Sequence, residues 1–100
     1  MTYHNIDLSR DAIATYCEQH QIRRLSLFGS ILRDDFADDS DVDVLVEFCP
    51  GHTPGLAFFA MQDGLSDLLG RQVDLHTVAS LSKYFRDRVL AEAEVQYDAA

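Results

Sequence analysis

Hydrophobic residues change their period along this chain, and each change marks an element. Ile13, Tyr16 and Cys17 recur at helical spacing, which predicts a first helix capped by Asp7 or Ser9 and running to about His20. Ile22 to Phe28 reads as a strand whose apolar part, Leu25, Leu27 and Phe28, is stopped by Gly29 and Ser30 in a tight turn. From Asp41 to Phe48 the period is two. Val42, Val44, Val46 and Phe48 fall on one face, Asp41 and Asp43 on the other. Cys49 to Pro54 is a loop, and the following run places Phe58, Met61, Leu65, Leu68 and Leu69 on a helical stripe that Gly70 ends; Gly64 weakens that helix in its middle. Arg71 to Val78 supplies a third strand, with Asp74 between Val73 and Leu75. Ser80 or Ser82 caps a last helix through about Glu92, turning Leu81, Phe85, Val89 and Leu90 inward and Lys83, Arg86 and Arg88 outward. Val95 to Tyr97 has the length of a short closing strand. The expected fold is α/β, a mixed β-sheet of three to five strands with helices packed on one face.

Composition bounds what such a fold does. With 47% hydrophobic residues in 100 positions, the chain buries one core and is expected to be a single domain over residues 1–100. A net charge of −9 argues against long nucleic acid as substrate, because phosphate backbones are met by basic surface. A small nucleotide that brings its own Mg²⁺, or a basic protein partner, suits an acidic domain better. Cys17 and Cys49 are too few and too far apart for a disulfide framework or a zinc site. No stretch reads as a signal peptide or a membrane span, so the expected compartment is the cytoplasm.

The candidate chemistry lies between Leu25 and Phe48, with a later contribution from Asp74. The Gly29-Ser30 turn offers backbone N–H groups and a hydroxyl to phosphate oxygens, and Arg33 adds a positive charge beside it. Asp41 and Asp43 point the same way at roughly 6 to 7 Å along the strand, an arrangement that repels itself unless a divalent cation intervenes. Mg²⁺ takes a few carboxylates and completes its shell with substrate phosphates, and two such ions clamp the entering and leaving oxygens of a phosphoryl displacement. If the Asp74 strand pairs beside the Asp41 strand, Asp74 joins the same face as a metal ligand or proton acceptor. His76, two residues on, shares that face as a proton acceptor or substrate contact.

Several blander readings compete. The aspartates at 34, 35, 38 and 39 form an ordinary solvated loop, since a calcium loop starting at Asp39 would need glycine at Val44 and glutamate at Pro50. Arg23 and Arg24 are read as solvated edge charges rather than contacts for an acidic neighbour. His4 and His20 have no partners at metal-binding spacing, and His52 is read as a solvated loop histidine rather than a contact for a nucleotide base or a partner.

Gly29-Ser30 followed after ten residues by Asp41-Val42-Asp43 resembles the GS-x10-DxD signature of the DNA polymerase beta-like nucleotidyltransferase superfamily. Chain length and flanking sequence resemble its minimal nucleotidyltransferase branch, antitoxins paired with HEPN-domain RNase toxins. The resemblance implies a nucleotidyltransferase fold and a Mg-dependent enzyme with two ions, ATP as substrate, and AMP transfer to a tyrosine of the toxin in a hetero-oligomer. It implies Asp41, Asp43 and Asp74 as the metal-binding catalytic acids and Gly29, Ser30 and Arg33 as nucleotide contacts. It also favours Arg88 or Lys83 as a triphosphate contact. Two alternatives stay open: an aminoglycoside-type small-molecule nucleotidyltransferase with the same acids, and a non-catalytic antitoxin that masks its toxin by binding.

Overall fold

In the computed structural model, which describes residues 2–3, 6–7, 9–33, 36–37, 39–52 and 54–99, Thr2–Tyr3 (β1) pairs with Ile6–Asp7 (β2) in a short ladder. Arg10–Gln19 (α1), Ile22–Phe28 (β3), a 3-10 turn at Gly29–Leu32 and Val42–Phe48 (β4) follow. Ala57–Leu69 (α2), Val73–Thr77 (β5), Arg86–Glu92 (α3) and Glu94–Asp98 (β6) complete the order. The main sheet runs β5-β4-β3-β6. β3 is antiparallel to both β4 and β6, while β4 and β5 are parallel, joined through α2 as a parallel pair requires.

Alternation along the strands sorts the side chains. Val42, Val44, Val46, Val73, Leu27 and Leu75 turn toward the main core, where Ile13 and Cys17 of α1 and Met61 and Leu65 of α2 cover them. Phe28 and Leu45 turn the other way and are covered by Leu81 and Val89. The expected mixed sheet is therefore present with α1 and α2 on one face, and the α3 segment closes a smaller cluster on the opposite face.

Local chemistry explains most boundaries. The Ser9 hydroxyl accepts from the Ala12 N–H at 3.3 Å and caps α1. α2 runs unbroken through Gly64 because that residue serves packing: a Cβ there would stand 3.0 Å from the Tyr16 hydroxyl, which donates to the Met61 carbonyl at 2.9 Å. Gly70 ends α2 in the left-handed conformation, φ 70°, with its N–H on the Ser66 carbonyl.

Several expectations are corrected. The last helix begins at Arg86 rather than at Ser80 or Ser82, since 77–85 closes in successive turns. Phe85 and Leu90 are 57% and 46% exposed instead of core residues, and Leu68 also lies at the surface. Arg86 turns back so that its guanidinium donates to the Leu81 carbonyl at 3.0 Å, which removes it from the outer basic face. Arg23 and Arg24 are not simply solvated. The register of β3 against β4 slips between Ile22 and Arg24, and this bulge brings both guanidinium groups to Glu47 at 3.3 Å. Arg24 also reaches Asp98 at 3.2 Å.

Candidate active site

The polar end of the sheet's second face is built from three adjacent strands. Asp43 lies on the central strand β4, opposite Phe28 of β3 on one side and Asp74 of β5 on the other. Because β4 and β5 are parallel and in this register, both carboxylates leave the same face at neighbouring positions. Gly29 directly follows Phe28, with φ 78°, and a Cβ built on it would collide with the Asp43 carboxylate. Both facts demand glycine there: the left-handed backbone and the close approach of a carboxylate to the turn. Ile31, 1% exposed, anchors the turn in the core, and the Arg33 N–H closes it on the Ser30 carbonyl at 2.9 Å.

His76 stands beside the acids. Its Nε2 is 3.2 Å from Asp74 Oδ2 and 3.7 Å from Asp43 Oδ1. The Phe28 ring meets the imidazole edge-on with centroids 5.2 Å apart and fixes its orientation. One ligand atom from each of Asp43, Asp74 and His76 falls within 4.8 Å of the others, a grouping able to hold a metal ion. Nε2 is buried and, apart from its ion-pair contacts with these two carboxylates, has no hydrogen-bond partner among the described residues. A buried ring nitrogen whose polar neighbours are two crowded carboxylates is a donor set that a divalent cation would satisfy.

The electrostatics agree. Burial pushes the Asp43 carboxyl above the ordinary aspartate range, and the Asp74 charge pushes it further; His76 opposes this, and Asp41 adds to it. Without a cation between them, the neighbouring Asp74 charge makes Asp43 costlier to ionise.

The other predicted residues fall around this group. Asp41 is exposed one position before β4; it is near enough to act on Asp43 electrostatically but contributes no atom to the three-residue cluster. Ser30 is half-buried in the turn and Arg33 is exposed just after it. Arg88 and Lys83 are exposed on or before α3, and no hydrogen bond or ion pair among the described residues brings either to the acids. Asp34, Asp35, Asp38 and His4 lie outside the described residues.

Sequence reasoning overlooked the residues that hold the acids in place. β5 is an edge strand, and two side chains one turn apart on α2 cover its outer N–H groups. Ser66 Oγ accepts from Val73 N–H at 2.9 Å, and Gln62 Oε1 accepts from Leu75 N–H at 3.0 Å. Asp74 sits between them. Arg71 does the same for the loop before β4, donating to the carbonyls of Ala37 and Ser40 at 2.8 Å and lying over the Phe36 ring. The i, i+4 spacing of Gln62 and Ser66 was the available signal, although nothing in it told which strand they faced.

The nucleotidyltransferase domain family matches residues 10–95. A Methanocaldococcus jannaschii relative whose name places it among the protein adenylyltransferases is 35% identical over 89 residues, 89% of this chain and 95% of its own length. The protein adenylyltransferase MntA of Thermococcus cleftensis is 38% identical over 76 residues, 75% of each chain. A solved structure named as a minimal nucleotidyltransferase is 37% identical, with a TM-score of 0.69 over 84% of this chain and 85% of that one. A toxin–antitoxin crystal structure with AMP-PNP shares the fold at 20% identity, TM-score 0.73, covering 91% of this chain and 74% of that one. With the Gly29 turn, the paired Asp43 and Asp74 and matches of this extent, the chain belongs to the nucleotidyltransferase domain family.

Proposed function

We propose that this chain is an antitoxin nucleotidyltransferase that transfers AMP from ATP to a tyrosine hydroxyl of a cognate HEPN-domain RNase toxin and so silences it. The observation that carries the reading is the register of Asp43 beside Asp74, with the Gly29 backbone pressed against the Asp43 carboxylate. Its relatives' names support protein adenylylation, and MntA–HepT toxin–antitoxin structures with the same fold support a toxin as acceptor.

In this reading the Gly29-Ser30 turn and Arg33 hold the triphosphate, with Arg88 a further contact from α3. Asp43 and Asp74 would hold one Mg²⁺, and Asp41 with Asp43 would hold a second. Ions held there would supply charge neutralisation to the transferring phosphoryl group. The tyrosine oxygen attacks the α-phosphorus in line, forming a new P–O bond as the bond to pyrophosphate breaks. Asp74, half exposed, accepts the phenolic proton and passes it to water. Positioning supplies most of the acceleration, since the phosphate and the acceptor hydroxyl are held aligned. The chain works as part of a hetero-oligomer in the cytoplasm, without binding nucleic acid itself.

The deciding experiment is the intact mass of the co-purified toxin after incubation with ATP and Mg²⁺. Wild type is expected to add AMP, and the Asp41→Ala, Asp43→Ala double variant to add none and lose neutralisation. A toxin that stays unmodified, yet is neutralised by the double variant, would establish masking in place of catalysis.

A further inference from the structure

We propose that His76 Nε2 is a direct ligand of the ion held by Asp43 and Asp74, and that it gives this site a preference for manganese or a related first-row transition ion over magnesium. The proposal rests on the metal-site reading above and adds to it the residue that sets which ion is bound.

The argument begins with the nitrogen itself. Nε2 is buried and, apart from ion-pair contacts with two carboxylates, has no hydrogen-bond partner among the described residues, so a cation placed between the three groups would satisfy all of them. Its neighbours are the two carboxylates, at 3.2 Å and 3.7 Å. Donor atoms sharing one ion at about 2.1 Å stand roughly 3.0 to 3.4 Å apart as neighbours, in octahedral or tetrahedral shells. The separation from Asp74 lies in that range, and the one from Asp43 needs a shift of a few tenths of an ångström. The Phe28 ring holds the imidazole edge-on, so its direction is set before an ion arrives.

Donor chemistry then decides between ions. Magnesium takes oxygen ligands and sheds its water reluctantly, whereas imidazole nitrogen suits transition ions. An Asp-Asp-His set remains open to phosphate oxygens, which manganese accepts as readily as magnesium does. An all-carboxylate set would give no such bias.

Pulsed EPR of the full-length chain loaded with Mn²⁺, without nucleotide, reads the bond directly. Wild type is expected to show modulation from a coordinated imidazole nitrogen, and His76→Asn to lose it. Calorimetry should find the Mn²⁺ Kd weakened at least about tenfold by His76→Asn, with the Mg²⁺ Kd changed much less. Saturable Mn²⁺ binding that disappears in Asp43→Asn but carries no nitrogen modulation in wild type would overturn the role of His76 and leave the two-acid site standing. Absence of any saturable binding in wild type would overturn both. The wild-type spectrum is decisive even if a variant folds poorly.

Discussion

Asp43 is charged in a place that penalises charge. It is the central acid, about a quarter exposed, with Asp74 beside it and the Gly29 backbone against its carboxylate. Its pKa is raised above the ordinary value of 3.8 by burial first and by Asp74 second. In linkage terms the folded chain holds this proton more tightly than the unfolded chain does. Below the unfolded pKa both states are protonated and there is no penalty. As pH rises through the folded pKa, stability is lost and then levels off. Asp43→Asn removes the penalty, so in the absence of metal it should be more stable than wild type at neutral pH by about 0.5 to 1 kcal/mol. That advantage should vanish as pH falls toward 3.8. Urea unfolding of both proteins in EDTA across this pH range measures it, and an advantage that does not change with pH would refute the electrostatic account. The same substitution should abolish AMP transfer, because the group that costs stability is the one that would hold the ion.

Elements position the acids, and the contact between α2 and β5 is the most exposed to test. Asp74 is held because the N–H groups on either side of it, at Val73 and Leu75, are each taken by a side chain of α2. Gln62→Ala should leave the Leu75 N–H without its acceptor at a cost of about 1 kcal/mol. Amide exchange should accelerate at Leu75 more than at Val73, and the affinity for Mn²⁺ should fall as Asp74 loosens. Unchanged exchange at Leu75 would show that the edge is held by something else. The strands themselves were legible from sequence, since Val42, Val44 and Val46 alternate with Asp43 in a pattern only a half-buried strand satisfies. That β4 and β5 pair, joining Asp43 and Asp74, was legible only as a condition, which their register meets. The bulge at Arg23 was not: it inserts one residue without any change in residue type, and only the register reveals that two arginines reach one Glu47. The start of α3 was also hidden, because Leu81, Phe85 and Val89 keep helical spacing through a stretch that closes in turns instead. His76 was placed on the correct face by its spacing from Asp74, but its approach to Asp43 depends on the neighbouring strand. Periodicity within one segment cannot report that.

At the scale of the molecule, the chain carries a net charge of −9 and gathers acids at the point where a triphosphate would bind. Bare ATP would meet repulsion there, and only a cation shared between the acids and the phosphates reverses its sign. Ligand binding to the folded state alone stabilises it by about 2.7 kcal/mol at a hundredfold excess over Kd, and about 1 kcal/mol shifts the melting temperature of a domain this size by roughly 4 to 8 °C. Mg²⁺ with ATP should therefore raise Tm by roughly 10 to 20 °C under those conditions. ATP in EDTA should raise it little, and a short RNA oligonucleotide not at all. Asp43→Asn should lose most of the Mg²⁺-dependent shift while keeping its own higher baseline, which separates loss of the site from loss of the fold. A shift of equal size with ATP in EDTA would mean that the nucleotide is held by the Gly29 turn and the arginines without help from the acids, and the physical case for a metal-bridged site would fail. Equal stabilisation by RNA would fail it differently, because a domain this acidic has no other reason to welcome a polyanion.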